Sequence, residues 1–109
     1  MPYTPTRLYI GQPGTSNTTL YTVPSGKKAI IKQILLSNTS ASDVTVTIYL
    51  VPSGGTAGAN NMIVPGITVN AKTVVTIDMA QVMNAGDFLV GVQNTSGAVT
   101  VTISGVEVS

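Results

Sequence analysis

An all-β fold, an antiparallel β-sandwich of jelly-roll or immunoglobulin-like type with about eight short strands, is what this 109-residue sequence predicts. Two observations carry the prediction. First, apolar residues recur at every second position. Val44, Val46, Ile48 and Leu50 alternate with Thr45, Thr47 and Tyr49, and Val99, Val101 and Ile103 alternate with Thr100 and Thr102. The β-branched valines and threonines among them sit well on a pleated surface and poorly in a helix. Second, turn residues interrupt the pattern at short intervals: Pro24-Ser25-Gly26, Asn38-Thr39-Ser40, Pro52-Ser53-Gly54-Gly55, Asn70-Ala71, Asn84-Ala85-Gly86-Asp87 and Asn94-Thr95-Ser96-Gly97.

Taken in order, the chain opens with an expected extended arm over residues 1–7, followed by one sandwich domain over 8–109. Pro2 and Pro5 forbid a helix there, and Tyr3 offers an amphipathic ring. The expectation is that this arm leaves the sandwich and lies on another subunit. Strands are predicted near residues 7–10, 18–23, 28–37, 43–51, 62–69, 73–79, 88–93 and 98–108. A single helical turn is predicted at Met79-Ala80-Gln81-Val82-Met83, stopped by Asn84 and Gly86. In Lys28–Leu36 both alternating sets are partly apolar. Either a bulge lies near Lys32-Gln33, or both faces are covered, the second by a partner chain. A bulge at Ser104-Gly105 would return Val106 and Val108 to the core side. Asn38-Thr39-Ser40 before Val44–Ile48 is echoed by Asn94-Thr95-Ser96 before Val99–Ile103, about half a chain later. This reads either as one hairpin recipe used twice or as two similar halves.

Composition narrows the function. Charged residues make up 8% of the chain, against roughly 25% in an ordinary soluble domain. Thr, Ser, Asn and Gly fill the gap, and a surface so poor in charge repels its neighbours weakly, which favours assembly. The net charge is +1. Lys27, Lys28 and Lys32 flank a turn and a strand edge, where lysine is ordinary, so no nucleic-acid partner is expected. No apolar run approaches the roughly 18 residues of a membrane span, and no membrane partner is expected. The opening residues lack the apolar core of a signal peptide, so synthesis in the cytosol is the expectation.

Chemistry is narrowed just as far. With no histidine and no cysteine, Ser-His-Asp, Cys-His and the common zinc arrangements are excluded. Asp43, Asp78, Asp87 and Glu107 are far apart in sequence, and Asp43 and Asp87 open strands beside turns, where Asx-type bonds explain them. No dense acidic ligand loop is present, so neither metal, cofactor nor enzymatic activity is expected. The loop Pro52–Asn61 lacks the ending of a phosphate cradle. It is read as a tip for contact, with Gly54, Gly55 and Asn60 as interaction residues beside Tyr3, Pro5 and Arg7 of the arm. The sequons at Asn17, Asn38 and Asn94 read as turn chemistry.

The run Leu20-Tyr21-Thr22-Val23-Pro24-Ser25-Gly26-Lys27-Lys28-Ala29-Ile30-Ile31, then Asn38-Thr39-Ser40, Val44–Ile48 and Asn84-Ala85-Gly86-Asp87, resembles small virion structural proteins of tailed bacteriophages. The resemblance covers residues 18–93 and implies a β-sandwich present in many copies on a particle. Its motifs are turn motifs, so no functional residue comes with it. The expectation is a non-enzymatic capsid decoration or cement protein in the virion, made in the host cytoplasm. Its expected partners are copies of itself and the major capsid protein or tail proteins. A tail, baseplate or fibre component is the alternative within that class. A carbohydrate-binding or host-adhesion module is the alternative from another, although that reading needs exposed aromatics and the chain has no Trp, one Phe and four Tyr.

Overall fold

The computed structural model describes residues 3–108. Eight strands follow in order: β1 (Tyr3–Gly11), β2 (Thr18–Thr22), β3 (Lys28–Asn38), β4 (Val44–Val51), β5 (Met62–Val69), β6 (Val74–Met83), β7 (Phe88–Gln93) and β8 (Val99–Val108), with one 3-10 turn at Ala59–Asn61. The first sheet has the order β1-β8-β3-β6 and the second β2-β7-β4-β5. All pairings are antiparallel. Only β4 and β5 are consecutive strands joined within one sheet; every other connection crosses between sheets. That is the jelly-roll order, and it decides between the two sandwich types the sequence left open.

The alternation sets the core. Val44, Val46 and Ile48 of β4 and Val99, Val101 and Ile103 of β8 are completely buried, as are Ala29, Ile31, Ile34 and Leu36 of β3. Leu50 is only half-buried against this cluster. Each fully buried Ile or Leu contributes roughly 1.5–3 kcal/mol by leaving water.

The first sheet carries its irregularities at one level. Lys32 is an extra residue in β3 against β8 and stands opposite two residues of β6, Met79 and Ala80, and Leu8 is an extra residue in β1 against β8. Between them, β8 runs without a break, and Gly105 makes this possible. A Cβ there would lie 2.1 Å from the Ile30 carbonyl oxygen and 3.1 Å from Leu8 Cδ1. The bulge expected at Ser104-Gly105 is therefore displaced onto the neighbouring strands, and Val106 and Val108 stay on the outer side while Glu107 points inward. The bulge expected near Lys32-Gln33 is present.

Three further expectations are corrected. Residues 79–83 are not helical: Gln81, Val82 and Met83 pair with Ile31, Ile30 and Ala29. A lone helical turn closes few hydrogen bonds for the residues it fixes, whereas the ladder offers a bonded neighbour and buries Met83 fully. The arm does not leave the sandwich, because Tyr3, Thr4, Pro5, Thr6 and Arg7 pair with Val108, Glu107, Val106, Gly105 and Ser104. Proline lacks a donor, and an edge strand is where a sheet tolerates it. Met1 and Pro2 lie outside the described residues. Finally, the two Asn-Thr-Ser segments do not close hairpins; each carries the chain from one sheet to the other.

Those two crossings are built differently. The buried Asn38 amide donates to the carbonyls of Ser42 (2.8 Å) and Val69 (2.9 Å), and its oxygen accepts from the Ser40 amide (2.9 Å) and hydroxyl (2.8 Å). At the second crossing Gln93 does this work. It donates to Pro13 (2.7 Å) and Val99 (3.1 Å) carbonyls and accepts from the Val99 amide (2.9 Å). Asn94 instead accepts from the Thr45 amide at 3.0 Å. The Asn38 side chain is committed to the fold and closed to glycosylation.

Candidate interaction surface

The carboxylates that could carry chemistry are spent on structure. Asp43 accepts from the Ala71 amide at 2.9 Å. Asp87 accepts from the Ser53 amide (3.0 Å) through one oxygen and the Asn84 amide (2.9 Å) through the other, tying the β4–β5 loop to the β6–β7 turn. The Ala71 and Ser53 bonds reach across to other loops, while the Asn84 bond stays within Asp87's own turn, where the sequence suggested local bonds. Glu107, turned inward, accepts the Tyr21 hydroxyl and stands 3.8 Å from Lys27 Nζ. Burial first, then the hydrogen bond and the charge of Glu107, push the Tyr21 phenol well above its ordinary range. Among the described residues no group of three or more acidic side chains gathers as a metal site would require. Two shallow depressions, of about 440 and 220 Å³, are lined mainly by hydroxyl and amide side chains around Thr73 and Thr47.

The six residues expected to make contacts divide into two groups. Tyr3, Pro5 and Arg7 are exposed on β1, an edge of the first sheet. Gly54, Gly55 and Asn60 are exposed on the β4–β5 loop of the second sheet. Both groups lie at one end of the sandwich: Val23 exchanges backbone bonds with Asp87 and Gly86, and Asp87 holds Ser53. They do not share a face. The loop is internally tied by Asn61, whose side chain accepts from Gly58 and donates to Thr56, each at 3.0 Å.

The outer face of the first sheet is more distinctive, and sequence reasoning reached it only in part. The paired residues form rows across four strands. One row is apolar throughout: Pro5, Val106, Ile30 and Val82. The next is polar: Arg7, Ser104, Gln33 and Asp78, with Gln33 donating to Asp78 at 3.1 Å. A third holds Ile10, Thr102, Leu35 and Thr76. The most exposed large apolar side chains among the described residues are Tyr3 (67%), Val82 (58%), Ile10 (56%) and Val74 (55%), and the register puts all four on this face. The two-sided apolar character of residues 28–37 was the available signal, since it foretold Ile30 and Leu35. Val82 was hidden inside the expected helical turn, and Ile10 lay beyond a bulge that inverted its parity.

The fold defines the chain as a jelly-roll β-sandwich domain. No protein-family model matches it, and no curated protein matches its sequence. Among solved structures it is similar to the crystal structure of the Drosophila NLP core, a study of pentamer formation and histone binding. There the identity is 20%, the likeness covers 93% of this chain and 97% of that one, and the TM-score is 0.50. It is also matched to the infectious bursal disease virus Gx strain structure at 16% identity and a TM-score of 0.48, over 97% of this chain but 32% of that one. At such identities the likeness is one of fold.

Proposed function

We propose that this chain is a non-enzymatic structural protein of a tailed bacteriophage virion, a capsid decoration protein that sits on the particle surface in many copies. It is made in the host cytoplasm and contacts copies of itself and the major capsid protein. The single observation that carries this reading is the outer face of the first sheet, where all four of the most exposed large apolar side chains gather in a chain with only 8% charged residues. A patch of that kind marks a surface made for protein contact. The turn motifs of residues 18–93 and the jelly-roll order, common among capsid domains, support the same reading at the level of analogy.

Electron microscopy of purified particles carrying a tagged copy tests it. Copies repeated over the capsid lattice are the expected result. Copies along the tail axis would move the protein to a tail, baseplate or fibre role. Absence from particles, together with binding to a glycan array, would replace the reading with a host-adhesion module.

A further inference from the structure

We propose that two copies of this chain associate through the outer faces of their first sheets, related by a twofold axis that runs parallel to the strands between β8 and β3. The inference deepens the self-association part of the proposed function by naming the surface and its geometry.

Charge placement selects the arrangement. Arg7 and Asp78 stand in the same row at opposite edges of the sheet, on β1 and β6. Three strand spacings separate them, about 14 Å. Among the described residues the one ion pair is Lys27–Glu107, so neither Arg7 nor Asp78 meets an opposite charge there. A twofold axis parallel to the strands keeps every row at its own height and exchanges left for right. It sets β1 over the second copy's β6 and β8 over its β3. Each Arg7 then faces the other copy's Asp78, twice per dimer. In the apolar row, Pro5 meets Val82 and Val106 meets Ile30.

The other face-to-face twofold, perpendicular to the strands, fails on the same residues. It lays every strand on its own copy, so the lysine-bearing β3, with Lys28 and Lys32, falls on itself, and with the axis through the Arg7 row it stacks Arg7 on Arg7 and Asp78 on Asp78. The proposed axis lays those lysines over β8, whose outward residues Thr100, Thr102, Ser104, Val106 and Val108 are uncharged. Size is adequate as well. Four strands of about ten residues span about 600 Å² at the usual spacings, of the order of the roughly 800 Å² per partner in a standard interface. Aligned sheets pack about 10 Å apart at about 30°, a geometry the twofold permits.

The test is a charge swap read by sedimentation of the whole chain. The wild type should dimerise. Arg7→Asp and Asp78→Arg each set like charges opposite one another twice, and each should weaken dimerisation about 100-fold or more. Mixed in equal amounts, the two variants should pair with each other, because every contact is again between opposite charges. Thermal melting of each variant confirms that it folds. A monomeric wild type, single variants that dimerise as the wild type does, or a mixture that fails to associate would each overturn the interface. A monomer still found on particles would overturn the interface alone, leaving the virion reading. A dimer with the swap pattern but absent from particles would do the reverse.

Discussion

On the outer side of the second sheet, Val51 is fully buried and Val90 nearly so, whereas Val82 on the outer side of the first sheet is more than half exposed. The three are valines on outward positions of regular strands. The difference lies in what each sheet has to cover itself with. Gly55 lies against Val51, where a Cβ would stand 3.4 Å from its Cγ1, because the β4–β5 loop curls back through a Gly55-to-Pro52 backbone bond of 2.9 Å. The outward positions left open on that sheet include Thr45, Thr47 and Thr68, which need no cover. On the first sheet Val82 is 58% exposed, and Ile30 and Val106 are half-buried. This sandwich covers Val51 and Val90 on one outer face by itself and leaves Val82 on the other exposed.

Three sets of measurements break or sharpen that contrast. The largest effect belongs to what the sheets share. Ile48→Ala in the second sheet and Ile103→Ala in the first should each lower stability by about 2–5 kcal/mol in denaturant unfolding, since both side chains are completely buried between the sheets. A loss at one and not the other would mean that the core is not common to both.

The contrast itself is tested next. Val51→Ala should lower stability by about 2 kcal/mol, as expected for deleting buried methyl groups. Val82→Ala should stay within about 0.5 kcal/mol for the monomer, as exposed positions do. Equal losses at the two valines would erase the distinction between the outer faces.

A loss smaller than that at Val51 is expected at the end where the sheets are pinned together by Tyr21 of β2 and Glu107 of β8. Tyr21→Phe should cost about 1 kcal/mol at neutral pH, the usual net worth of one hydrogen bond. Its pH dependence is the sharper readout. The folded phenol is held above the unfolded value of 10.0, so at high pH the unfolded chain binds fewer protons than the folded one. The contribution is complete below about pH 10 and is lost as pH rises further. The wild type should therefore destabilise more steeply than Tyr21→Phe above that pH, and parallel curves would show that the phenol is not perturbed.

The amino-acid sequence by itself determined most of the strands and much of the core. Period-two alternation in Val44–Leu50 and Val99–Ile103 fixes which side faces inward without reference to any neighbour, and Asn, Pro and Gly at the turns act through local dihedral preference. Only the tertiary structure decided which strands pair. Residues 79–83 became strand because β3 was there to bond them, and Tyr3–Arg7 joined the sheet because β8 offered an open edge. Parity past a bulge is likewise non-local: the extra residue Leu8 turns Ile10 outward, and the Gly105 gap accepts the Ile30 carbonyl. The candidate face depends on all of these at once. Its rows join residues from positions 5, 30, 82 and 106, which only the cross-strand register brings side by side, so the sequence revealed its middle strand and the fold supplied the rest.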